Sequence, residues 1–239
     1  MSDIFSTLLS QVLAADAPVL PVLRSQQVWL HLGWSAVLGW VGVWLAAACR
    51  LPRSWHWAVA AVLGAWAWVP GELGASYWLG LAFQAPAITT VCLCLSLLMD
   101  RWHTRDVRDT PARGAALYLC LVGGLAGWVL LLDSFAVLPW QLYALGFSPV
   151  VPALAVLVAL MPWVVVCCVV RREVPHGVRP APAVGCVLVV VLVFTTMRVP
   201  TGNAWDALLD PLLWLVLNGV CIRALSSKLR SQRSARVNF

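Results

Sequence analysis

Charged side chains are scarce in this 239-residue sequence: they make up 11% of it, while 62% of the residues are apolar. The mean hydropathy is +0.86. A soluble domain carries about a quarter charged residues, so the composition excludes an ordinary soluble enzyme and implies an all-α integral membrane protein. Lysine occurs once, as Lys228 near the C-terminus, so no lysine lies inside the last apolar segment to hold a retinal Schiff base. Cys-x-x-Cys pairs are absent, as are H-E-x-x-H, G-x-S-x-G and P-loop patterns, which removes the common redox, zinc, serine-hydrolase and nucleotide signatures. His56, His103 and His176 fall in loops of one side and His31 near the other face. No helix pair therefore offers two axial haem ligands at matched depth. No cofactor and no metal are expected.

Apolar runs are what the chain has in abundance. A spanning helix needs about 20 largely apolar residues, and candidate spans lie at 28–48, 57–69, 76–99, 115–132, 150–170, 183–197 and 211–225. The second and sixth are short. The reading is a bundle of about seven transmembrane helices over 24–226, with a basic tail at 227–239. Residues 1–23 precede it. Within 1–17 there is no basic n-region and no long apolar core, so this is not read as a signal peptide. Ile4, Phe5, Leu8, Leu9, Val12 and Leu13 share one helical face, which predicts a short amphipathic helix on the membrane surface, ended by Pro18 and Pro21.

Charge sets the orientation. With seven spans, every basic residue except Arg24 and Arg198 falls on one side, which the positive-inside rule makes cytoplasmic. Asp3, Asp16, Glu72, Asp133, Asp206 and Asp210 all fall on the other. The N-terminus is therefore periplasmic, the C-terminus cytoplasmic, and the location an inner (plasma) membrane. The positive charge belongs to loops facing anionic lipid, and nucleic acid is not expected as a partner.

Within the spans, the eight cysteines all map to the inner half and read as small packing residues, the adjacent Cys167 and Cys168 keeping a soft-metal alternative open. Gly123 and Gly127 form a G-x-x-x-G pair suited to close helix contact, and Gly39 with Gly42 alternates with Trp40 and Trp44. Pro86 and Pro162 are expected to kink the third and fifth spans. Part of the tryptophan, 15 residues in all, is expected at the lipid interfaces. The loop 133–149, with Phe135, Trp140, Tyr143 and Phe147, is read as an interfacial aromatic segment, or alternatively as a lid.

The densest polar stretch is 198–211. Asp206 and Asp210 are four apart and could form an acid/base or cation-binding pair on one helix face. Capping is the preferred reading: Asp210 before Pro211 fits an N-cap and first helical position, and Asn203 resembles a cap for a short interfacial helix. Arg198 could pair with either carboxylate. At ~1.5 Å per residue, Gln84 and Asn218 each come ~12 Å below the outer surface. A periplasm-facing pocket is thus conceivable, floored by Gln84 and Asn218, entered past His31 and rimmed by Asp133, Arg198, Asp206 and Asp210. Simple interhelical hydrogen bonding is the plainer account.

Three function classes follow. The first is a non-catalytic subunit or accessory protein of an envelope system, with the lipid bilayer and another membrane protein as partners. The second is a small-solute carrier using the pocket. The third is a membrane enzyme acting on a lipid-linked or periplasmic substrate through Asp206 or Asp210.

Overall fold

A computed structural model describes residues 19–103, 110–169 and 182–237. The amphipathic segment expected at 1–17 lies outside the described residues, as do the side chains of Cys167 and Cys168. Among the described residues the chain is all-helical: α1 Leu23–Ala48, α2 Arg53–Trp66, α3 Ala75–Phe83, α4 Ile88–His103, α5 Thr110–Ser134, α6 Val150–Val169, α7 Pro182–Met197, α8 Ala204–Leu208 and α9 Pro211–Val237. Two of these hold stretches long and apolar enough to cross a membrane, Leu23–Ala48 and Leu117–Ser134.

Small residues let the helices approach. On α1, a methyl group added to Gly42 would meet the Ala60 Cα of α2 at 3.0 Å. Ser35 donates its hydroxyl to the Gly64 carbonyl at 2.9 Å. The Gly123/Gly127 pair does the same between α5 and α9: a Cβ on Gly127 would stand 2.2 Å from Cδ1 of Trp214. The Trp214 indole donates to the Gly124 carbonyl at 3.2 Å and meets Trp128 edge-on at 4.9 Å. The apolar centre lies where α4, α6, α7 and α8 converge, with Ile88, Val151, Val190, Phe194, Val199, Ala204 and Ala207 buried together.

The helices depart from the apolar runs in three places. The third segment, 76–99, is not one kinked helix. It breaks into α3 and α4 around Gln84, whose φ is +62°, because Pro86 has no N–H to continue the ladder and disfavours helical backbone before it. Pro162, by contrast, stays inside a continuous α6. The final helix extends beyond the apolar run 211–225 to Val237, through a polar stretch that carries no proline and no glycine beyond Gly219. The second helix spans Arg53–Trp66 rather than 57–69. Its start after Pro52 follows the preference for proline at helix entry, and Arg53 donates to the C-terminal Arg101 carbonyl of α4 at 2.8 Å, a cation at the negative end of a helix.

Candidate functional site

A broken helix leaves carbonyls at one end and N–H groups at the other without helical partners. In the break between α3 and α4 they are answered by other elements. The Trp34 indole of α1 donates to the Gln84 carbonyl at 2.9 Å, and Trp29 donates to the Pro86 carbonyl at 3.0 Å. On the α4 side, the Ala87 N–H donates to Oδ2 of Asp210 at 2.9 Å, and the Thr90 hydroxyl donates to the same oxygen at 2.5 Å. The other carboxylate oxygen accepts from the Leu213 N–H at 2.7 Å, in the first turn of α9. Asp210 is 9% exposed and closes two helix N-termini at once, a placement each helix dipole favours.

Asp206 does different work. It sits on α8 while Asp210 lies beyond that helix, so the two carboxylates do not share a helical face. Asp206 accepts from the Tyr143 hydroxyl at 2.8 Å and from Thr201 at 2.5 Å. Asn203, fully buried, caps α8 by accepting from the Trp205 N–H at 2.9 Å. Its amide nitrogen donates to the Tyr143 carbonyl at 3.0 Å. The Trp205 indole donates to the Leu142 carbonyl, and Asp133 accepts from the Tyr143 N–H at 2.8 Å. Gly146 has to be glycine here, because a Cβ would overlap the Asn203 amide oxygen. The aromatic loop is thus clamped onto 201–206, with Tyr143–Phe147 as a short 3-10 turn. Burial, then donation to the Asp206 carboxylate, pushes the Tyr143 phenol well above its ordinary value.

The remaining candidates are dispersed. Arg198 pairs with neither carboxylate; its guanidinium lies 5.3 Å from the Phe194 ring centre, a cation–π contact. His31 ties three elements, its Nδ1 standing 2.9 Å from the Ala67 carbonyl and 2.7 Å from the Ser76 hydroxyl. Asn218 donates to the Trp214 carbonyl at 2.7 Å and accepts from Trp128 at 3.1 Å, so it belongs to the α5–α9 contact. Of these seven residues, Gln84 alone lines the open cavity beside α3. The depth inferred for Gln84 presumed an unbroken third helix.

Gln84 instead lines an open cavity of about 390 Å³ between the first turns of α1, helix α3 and the turn at Pro200 and Thr201. Gln26, Gln27 and Tyr77 share it, and among the described residues no carboxylate, lysine, arginine or histidine does. The adjacent Gln26–Gln27 pair at the head of the first apolar segment was the sequence signal for this groove. Nothing local announced Trp29, Trp34 or Thr90, whose partners lie 50 or more residues away.

Compared with known proteins, the chain matches no family model, no curated protein and no solved structure, so the site is read on its geometry alone.

Proposed function

We propose that this chain is a seven-span inner-membrane protein, periplasmic at its N-terminus and cytoplasmic at its C-terminus, serving as a non-catalytic subunit of an envelope assembly. Among the described residues, seven helices of 14 residues or more follow the seven apolar segments. Their outward faces carry large apolar side chains such as Leu125, Leu157, Val216 and Ile222, each 60% exposed or more, which suits lipid or a membrane partner and not water. The single observation that carries the non-catalytic reading is the use of the outer carboxylates. Asp133, Asp206 and Asp210 are each held by hydrogen bonds that join elements of the fold. An acid/base role for Asp210 has less support, because both of its oxygens are bonded within the fold and a general acid or base needs an oxygen free to meet substrate.

The test is purification from native membranes in a mild detergent, with mass determination of intact complexes. A stoichiometric membrane-protein partner is the expected result. A chain that purifies alone at every detergent strength overturns the subunit reading. The carrier reading has one observation in its favour, the amide-lined groove.

A further inference from the structure

We propose that the groove between α1, α3 and the Pro200–Thr201 turn binds a neutral, polyhydroxylated group of about one sugar unit, either free or as the head of a lipid. This does not depend on the subunit reading. The volume, about 390 Å³, falls at the small end of ligand pockets, roughly 300–1,000 Å³.

Its chemistry selects the ligand class. Gln26, Gln27 and Gln84 are exposed, and their side-chain amides make no hydrogen bond within the protein among the described residues. Each primary amide offers two donors and an acceptor side by side, which matches vicinal hydroxyls that donate and accept together. With no charged residue on the lining among the described residues, an anionic or cationic ligand would lose hydration without gaining a counter-charge there. The neutral class is therefore favoured. Leu30, Leu81 and Pro200 give an apolar wall, and Tyr77 an aromatic one, surfaces that suit the C–H face of a pyranose ring.

The lining is also held in place. Trp34 anchors the Gln84 backbone, His31 and the Ala67 carbonyl hold Ser76, and Asp206 fixes Thr201. A site whose walls are fixed before binding avoids part of the ordering cost of association.

The experiment uses the full chain in nanodiscs of phosphatidylethanolamine and phosphatidylglycerol, free of glycoside detergents. Maltose is added to one sample, and monoglucosyl diacylglycerol is built into the disc of another. Saturation-transfer NMR reads the first, and quenching of tryptophan fluorescence reads both. Binding of either probe is expected, weakened about tenfold or more by Gln26→Leu combined with Gln27→Leu, while the thermal transition stays unchanged. Maltose binding points to a free sugar, and response to the glycolipid alone points to a headgroup. Gln84→Asn supplies an independent variant on the opposite wall, and it too should weaken binding. The proposal is overturned if neither probe binds, if binding survives both sets of substitutions, or if a neutral tripeptide displaces the sugar.

Discussion

Asp210 shows how much one carboxylate can hold. Its two oxygens serve different helices, so a substitution that preserves an ordinary N-cap does not preserve the site. In Asp210→Asn the amide keeps one acceptor oxygen, and whichever way it turns, its NH₂ faces a donor at Leu213 or at Ala87 and Thr90. One buried N–H then lacks a partner, a loss of ~1–3 kcal/mol. Thermal unfolding in detergent should show that loss, whereas a simple surface cap would tolerate asparagine. Tyr143 gives a pH prediction. Its phenol is raised in the folded protein, so the folded state holds that proton more tightly than the unfolded chain does. The contribution is present below the unfolded value of about 10 and is lost as pH rises toward the folded one. Unfolding followed from pH 8 to about 11 should lose stability in the wild type more steeply than in Tyr143→Phe. Equal slopes would mean that the Asp206 contact does not shape the titration.

At the scale of elements, close approach decides which glycines matter. Gly127 lies under the Trp214 indole, while a Cβ at Gly124 would meet nothing within 4 Å. Gly127→Ala should therefore force α5 from α9 and cost ~1–3 kcal/mol. Gly124→Ala, in the same helix, should be neutral or gain a few tenths, following helix propensity, roughly up to ~1 kcal/mol. Matching losses from the two would refute the packing described. The break between α3 and α4 follows the same logic of local need met from a distance. Proline removes a backbone donor and leaves carbonyls open, and two tryptophans of α1 answer them. Tryptophan is abundant here in part because its indole is a long-reaching donor on an apolar body. The expectation that placed it at lipid interfaces accounts for exposed Trp44, Trp55 and Trp140 but not for buried Trp34.

For the molecule as a whole, the proposed orientation puts the polar work on the outer face: the clamp on the aromatic loop, the double cap at Asp210 and the groove beside α3. It puts most of the arginines on the inner side. This asymmetry makes orientation testable. Cys49 is exposed at the C-terminal end of α1, and Leu73 is 81% exposed beyond α2. In a chain whose only cysteine is Cys49, an impermeant maleimide should label inverted vesicles and not intact cells. With all native cysteines replaced, Leu73→Cys should show the reverse. Labelling of both from one side would contradict a hairpin of α1 and α2 crossing the bilayer.

Much of this was legible in the residues themselves. Long apolar runs, the G-x-x-x-G pair and the Asn203 cap are local patterns, and local patterns carry helix identity and capping because their physics acts within one or two turns. The contacts that make the site do not. Asp210 reaches Ala87 across 123 residues, and Tyr143 reaches Asp206 across 63. Gln84 and Asn218, equal in counted depth, fall in different places because one helix breaks and the other does not. Spacing along a helix reports neighbours only while the helix continues. Which unpaired groups meet across a break is decided by packing, where each buried donor must find an acceptor wherever in the chain it lies.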